Sequence, residues 1–411
     1  MSQTDEARPA TPAAPAHPGI SRALTLLLAV ATGAIAANVY YAQPLLAVIA
    51  RSLGTSTGAA GAVVTVTQLG FAVGLVCVLP LADIVKRRSL VSVLLLLDAA
   101  ALAAVGFAPR LAVALVAFAA LGLANVAAQV LVPTAAHLAD DTQRGRTVAT
   151  VISGLLTGML LARTVAGIVT ELVGWRPLFL GAAVLMILVN VVLRRALHGI
   201  DAAPGRPVGY GEVLRSTVRV YRAEAAVRVR SAYGALGFAA FSVFWSTAAL
   251  HLSRAPFGYS PAVIGLFGLL GAAGATAANL TGRVRRHTHP MPTAAAIALI
   301  AVAYAVLLVA GNTLGGIIAG VLILDIGVQG LHVLNQRVIY DVDAAARNRV
   351  NSVYMTFYFL GGALGSALAS FVWPRAGWTG ICLTGLGVTA LATALWARTS
   401  GRVHRAARHT R

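Results

Sequence analysis

Residues 90–107 read LVSVLLLLDAAALAAVGF, and after the step Ala108-Pro109-Arg110, residues 111–124 read LAVALVAFAALGLA. The first run holds two polar side chains, Ser92 and Asp98; the second holds neither a charge nor an amide. A bilayer core about 30 Å thick is crossed by about 20 such residues as helix, whose backbone groups satisfy one another. These runs therefore read as transmembrane helices and not as strands. The same chemistry pervades the chain: of 411 residues 58% are hydrophobic and 11% charged, and mean hydropathy is +0.81. Soluble domains carry roughly a quarter charged residues, so a water-soluble globule is excluded.

Punctuating the apolar runs at charges, prolines and glycines gives twelve spans: 22–48, 58–82, 89–108, 111–136, 147–172 and 177–195, then 229–251, 261–281, 292–310, 313–336, 349–373 and 378–397. The expected architecture is an all-α integral membrane protein with two six-helix bundles, 22–195 and 229–397. Residues 196–228 form a polar cytoplasmic linker. Residues 1–21, rich in Pro and Ala and without the features of a secretory signal, are expected as a disordered cytoplasmic tail, and 398–411 as a basic one.

The formal charge of +19 invites a nucleic-acid reading, but its distribution argues for topology instead. With the N-terminus inside, 26 of the 32 basic residues fall in the tails, the linker and the inner loops. Five, Arg51, Arg110, Arg176, Arg254 and Arg375, fall outside, and Arg163 lies within a span. This bias predicts a multi-pass protein of the inner (cytoplasmic) membrane with both termini cytoplasmic. The expected partners are the lipid bilayer and a small-molecule substrate, with no nucleic acid. Cys77 and Cys382 sit inside apolar runs and read as small core residues, not as a disulfide or metal site.

The two halves resemble each other. A shift of 203 residues lays Arg144, Arg146, Gly158 and Gly174-Trp175 on Arg347, Arg349, Gly361 and Gly377-Trp378. A parallel repeat of six spans joined by a polar linker is an architecture of carriers that rock around a central site.

Three local signals carry a resemblance to the major facilitator superfamily over nearly the whole chain. Leu81-Ala82-Asp83-Ile84-Val85-Lys86-Arg87-Arg88 resembles the family's acidic-then-basic loop after the second span, with Leu79 and Lys86 where glycines are usual. Gly158-Met159-Leu160-Leu161-Ala162-Arg163-Thr164-Val165-Ala166-Gly167 resembles its glycine-rich antiporter motif, whose helix-packing positions are Gly158, Ala162, Ala166 and Gly167; Arg163 replaces the proline. Gly174-Trp175-Arg176-Pro177-Leu178-Phe179 resembles the turn into helix six. Asn38-Val39-Tyr40-Tyr41-Ala42-Gln43-Pro44-Leu45 is similar to the drug-efflux and arabinose-efflux-permease-like branch, whose members are mostly proton-coupled exporters. That branch usually carries an arginine in helix four; none occurs between Leu111 and Pro133, so its coupling assignment is not carried over.

The resemblance implies that Asp83, with Lys86, Arg87 and Arg88, latches the cytoplasmic side closed in one state; the alternative is a solvated loop acid. Asp325 lies about 18 Å along the tenth span, near mid-bilayer. An ionised acid there costs about 2.5–3.5 kcal/mol on insertion scales and should face a cavity or a partner. Gln329 and His332 follow at i+4 and i+7 and extend one polar stripe. Apolar surroundings favour the neutral form of a carboxyl group, which suits one that binds and releases protons. Arg163, among Gly and Ala, reads as partner to an acid or to an anionic substrate group, against snorkelling outward past Glu171. Asn125 and Gln129 at i and i+4, and Asn38 and Tyr41 at i and i+3, either line a site or glue helices. Asp98 reads as paired inside its bundle. Phe238, Phe241, Phe244 and Trp245, with Tyr354, Phe357 and Tyr358, read as either an aromatic site wall or packing.

No lysine-bearing phosphate loop, no metal-ligand spacing and no nucleophilic triad stands out, so neither an enzyme nor a metal site is expected. The functional expectation is a secondary carrier working by alternating access as a monomer, without a cofactor and with the proton gradient as its energy source, exporting a small amphipathic compound. Uptake by symport or facilitated diffusion is the alternative, and a transport-dead sensor a weaker one.

Overall fold

The structure is a computed structural model that describes residues 20–140, 142–198, 209–271, 290–342 and 347–409. Most of the expected N-terminal tail, part of the linker and the second half of the eighth span lie outside the described residues. Ten helices among them are long and apolar enough to cross a membrane. In chain order the first half consists of α1 (Arg22–Asn38), α2 (Leu46–Ser52), α3 (Thr57–Cys77), α4 (Arg87–Gly106), α5 (Leu111–Ala124), α6 (Ala127–Leu138), α7 (Arg144–Val173) and α8 (Trp175–Ala196). After it come α9 (Tyr210–Ala223), α10 (Ala225–Trp245), α11 (Ala248–Leu252), α12 (Pro261–Leu266), α13 (Pro290–Ala310), α14 (Leu314–Val342) and α15 (Arg347–His409). The fold is all-α, with about twelve membrane-crossing helices in two pseudo-symmetric bundles.

Several spans are built from two pieces. The first breaks between Asn38 and the 3-10 turn Gln43–Leu45, where Pro44 sits at the start of the turn and cannot donate a ladder hydrogen bond. The fourth breaks at Asn125, and the seventh at Ser246-Thr247. Conversely, α15 carries the two expected spans 349–373 and 378–397, bent at Gly377 with φ 54° and ψ −148°. Helix starts are capped as the sequence allows: Ser21 and Ser56 accept from the backbone N–H of Leu24 and Ala59. Before α7, Asp140 accepts from Thr142 Oγ1 at 2.8 Å and Gln143 N at 2.7 Å. The Thr142 bond and then the Gln143 bond hold its exposed carboxyl below the usual carboxylate range.

Part of the linker is helical. Within 196–228 the chain forms α9, whose exposed face carries Arg215, Arg219 and Arg222 and whose other face presents Val213, Val220 and Tyr221. Tyr210 Oη donates to the Cys77 carbonyl at 2.7 Å, and Tyr221 stacks on Phe357 at 4.9 Å, so α9 is tied to both halves. Val213 recurs as Val220 and Tyr221 seven and eight residues on, two helical turns, which gives the helix one apolar face.

The repeat is present in three dimensions. The described residues with positive φ are Gly54, Gly174, Gly258 and Gly377, in two pairs separated by one half of the chain. Each of Gly174 and Gly377 turns the chain directly into a tryptophan. Backbone contacts repeat as well. A Cβ on Gly158 of α7 would strike Gly33 O of α1, and one on Gly361 of α15 would strike Ala235 O of α10. Small residues here allow helix axes to approach closely without a side chain between them.

Between the halves, α3 and α15 stay in contact from end to end. Ser370 faces Gly58 and Gly61; Thr65 Oγ1 donates to Ser366 Oγ at 3.1 Å; Phe71 meets Phe359 at 4.2 Å; Ser352 Oγ donates to Leu75 O at 3.3 Å. At the end away from Asp83, α7 closes on α12. Thr164 Oγ1 donates to Gly265 O at 3.0 Å, Glu171 Oε2 accepts from Ala262 N at 3.1 Å, and Gly167 lies against Pro261 O. At the other end, Arg87 and Arg144 of one half and Arg349 of the other border a cavity.

Candidate functional site

Between the two halves lies a cavity of about 1050 Å³ that reaches from a basic mouth to the middle of the bundle. Asp83, Arg87, Arg144 and Arg349 line the mouth, with His137 of α6 opposite Gln336 and Tyr340 of α14. The interior is bounded by Tyr40, Arg163, Phe238, Phe241, Asp325 and Tyr358. Arg163 lies 19 residues into α7 and Asp325 lies 17 residues before the end of α14, about 28 and about 26 Å from the basic ends of their helices. The two charges therefore sit at similar depth.

Arg163 is 5% exposed and Asp325 is 3% exposed. Arg163 Nε donates to Gln43 Oε1 at 2.8 Å. Its guanidinium carbon lies 4.1 Å from the Trp245 ring centre, 5.0 Å from that of Tyr40 and 5.9 Å from that of Phe241. The aromatic faces stabilise the cation electrostatically. Arg163 Nη2 and Asp325 Oδ1 are nevertheless buried without a hydrogen-bond partner. A buried charge with an unsatisfied atom is costly and marks a place that something else completes.

The polar stripe anticipated on the tenth span faces this cavity. Asp325, Gln329 and His332 all line it, and the stripe continues through Gln336 to Tyr340. His332 Nδ1 hydrogen-bonds with Tyr354 Oη at 2.9 Å, and its ring lies 4.7 Å from Tyr358. Of the aromatics, Phe238, Phe241 and Tyr358 form wall; Phe238 stacks on Tyr358 at 4.1 Å. Phe244 instead packs toward Trp378, and Phe357 toward α9.

At the first span, Asn38 and Tyr41 take the helix-packing alternative. Asn38 and Tyr41 do not line the cavity: Asn38 Nδ2 donates to buried Asp98 Oδ2 at 2.7 Å, and Tyr41 packs on Phe179 at 6.3 Å between ring centres. Tyr40 and Gln43 are instead the residues at Arg163. The break after Asn38 resets the angular register, so an i, i+3 argument across it fails. Asp98 is paired inside its bundle, as its scaffold reading expected. Asn125 does both jobs. It borders the cavity and its Nδ2 donates to Ile35 O at 2.6 Å, while Gln129 borders the cavity one turn on. Lys86 and Arg88 are not among the lining residues, whereas Asp83 and Arg87 are.

Around Gly158, Ala162, Ala166 and Gly167, the motif divides its work between two partners. Gly158 lies against α1 and Gly167 against α12. Gly265 and Gly268 press on the Arg163 carbonyl and Cβ, so the backbone at Arg163 seals the far side while its side chain faces the cavity. Glu171 caps the start of α12 and is not the partner of Arg163. Trp245 and Gln43, the true neighbours of Arg163, come from other spans and carry no local signal.

The sequence pattern described as Major Facilitator Superfamily matches residues 28–366. The chain is 41% identical over 384 residues to "Uncharacterized transporter YgaY" of Escherichia coli O157:H7, covering 92% of this chain and 96% of that one. It is 34% identical over 402 residues to "Probable transporter SCO4007" of Streptomyces coelicolor, covering 93% and 90%. Among solved structures it superposes on a peptide transporter, POT, in complex with sulfate, with a TM-score of 0.73 at 18% identity, covering 92% and 95%. A bacterial homologue of the human lysosomal transporter Spinster, in its inward-facing and unoccupied conformation, gives 0.72 at 14% identity, covering 92% and 96%. With a membrane-spanning two-bundle fold, a central one-sided cavity and these relatives, the chain belongs to the Major Facilitator Superfamily and is a transporter of that type.

Proposed function

We propose that this transporter is a monomeric, proton-coupled exporter of a small amphipathic compound, of the drug-efflux and arabinose-efflux-permease-like branch, working by alternating access without a cofactor. The basic end faces the cytoplasm, the membrane is the inner one, both termini are cytoplasmic, and the conformation described is open inward. One observation carries the reading: a cavity open at one end and sealed at the other, with Arg163 and Asp325 each left with an unsatisfied atom deep inside it. A proton reaching Asp325 cancels its attraction to Arg163, and a difference in that attraction between states shifts their populations. Asp83 supplies the latch. Closing the mouth brings it toward Arg349 of the other half, which lies on the rim in the open state.

Reconstituted in liposomes with a solute chosen by stabilisation of the purified protein, an imposed pH gradient should drive net solute movement. An ionophore that collapses the gradient should abolish it. Asp325→Asn should lower gradient-driven flux at least 20-fold, about 1.8 kcal/mol. Flux unaffected by the ionophore would remove proton coupling. Accumulation of the solute in expressing cells, instead of exclusion, would reverse the direction. Asp83→Asn should slow turnover at least fivefold at normal expression; wild-type rates would take Asp83 out of the mechanism.

A further inference from the structure

We infer that the solute carried is a zwitterion with an apolar body, its anionic group seated on Arg163 and its cationic group on Asp325. The inference rests on the carrier reading above and names the class of solute. Both side chains are almost wholly buried, both face one cavity, and each keeps one polar atom unpartnered: Nη2 of Arg163 and Oδ1 of Asp325. Arg163 gives its Nε to Gln43, a neutral amide, and packs among three rings. The two opposite charges are thus each held in place with an atom left over, at matching depth, on helices from different halves.

That arrangement discriminates by charge. A simple cation satisfies Asp325 but meets the Arg163 guanidinium, after passing a mouth lined by Arg87, Arg144 and Arg349. A simple anion satisfies Arg163 but meets the carboxylate. A neutral solute leaves both orphaned, which a site built of buried polar groups penalises strongly. Only a molecule bearing both charges completes both partners. Phe238 and Tyr358, stacked at 4.1 Å on the same wall, suit a flat apolar body, and a cavity of about 1050 Å³ admits one of drug size.

The test uses three matched probes on the full chain in nanodiscs: biphenylalanine, its methyl ester, which is a cation, and its N-acetyl derivative, which is an anion. Titrated at pH 7.5, the free amino acid should bind at least tenfold more tightly than either relative. In Arg163→Gln its affinity should fall to that of the ester, and in Asp325→Asn to that of the N-acetyl acid, with melting temperatures confirming that both variants fold. Equal or tighter binding of a singly charged probe to the wild type, or binding of none, overturns the substrate class. Alternating access is read separately, without solute, from the distance between spin labels at His137 and Gln336 across the mouth. Two populated distances with no preference for the zwitterion would sink this inference alone; a single distance under all conditions would sink the carrier reading.

Discussion

Gly158→Leu is expected to leave no folded protein to purify, and Gly361→Leu the same. At Gly158 the backbones of α1 and α7 touch, and Gly154 meets Ala29 one turn earlier along the same seam. At Gly361 the equivalent seam joins α15 to α10, with Gly365 on Ala239 one turn later. A leucine at either place needs its helices to separate by the thickness of a side chain. Overpacking a core costs about 1–3 kcal/mol when neighbouring side chains can shift. Here the obstruction is backbone, which cannot rotate away, so the penalty consumes much of a native stability of about 5–15 kcal/mol. Alanine, which forces a smaller displacement, should cost about 2–3 kcal/mol. Gly181→Leu and Gly387→Leu, at exposed glycines with open space around the added Cβ, are the controls and should purify normally. Size-exclusion profiles in mild detergent and unfolding midpoints decide it: a monodisperse Gly158→Leu protein would show that α1 and α7 tolerate a wider seam than the structure describes.

Arg163→Ala should reduce transport at least 100-fold with the fold intact. Truncation removes the cation among the rings and orphans Gln43 Oε1, and each loss is about 1–3 kcal/mol in a desolvated site. Their sum reaches the roughly 2.7 kcal/mol that a hundredfold rate change needs. Alanine keeps the Cβ and carbonyl that Gly268 and Gly265 press on, so the seal between α7 and α12 is spared. Arg163→Lys keeps the charge but loses the planar fork that serves Gln43 and still presents a second donor; it should recover less than a tenth of the wild-type rate. Initial rates per reconstituted molecule provide the measure. Wild-type flux through Arg163→Ala would mean that the solute ignores this end of the cavity.

How much of this could be read beforehand depends on whether a feature is local. Helix existence follows from apolar runs, and the stripe Asp325–Gln329–His332 was legible because α14 runs unbroken from Leu314 to Val342 and its period holds. The first span shows the opposite. Its period lapses at Asn38, so spacing leaves open whether Asn38 and Tyr41 line a site or glue helices and does not single out Tyr40 and Gln43. The sequence shows Trp245 as an aromatic but not as the neighbour of Arg163, since the two come from different halves of the chain. The repeat is legible through Gly174 and Gly377, which share a following tryptophan. Gly54 and Gly258 escaped because Leu53 and Thr55 flank one while Phe257 and Tyr259 flank the other. Their common property is a backbone angle, and no letter of the sequence records that. In α9, the charges that mark the segment as a polar linker are the outer face of a helix.

The unbroken contact of α3 with α15 has a mechanical corollary. Two stiff levers joined along a common axle can only tilt, and a tilt that narrows the gap at one end must pry the other apart. Drawing His137 toward Tyr340 would accordingly lift α12 off α7, peeling Gly265 from the Arg163 carbonyl. A see-saw of this kind has no angle at which both ends gape, so leakage straight through the molecule is forbidden by its geometry alone.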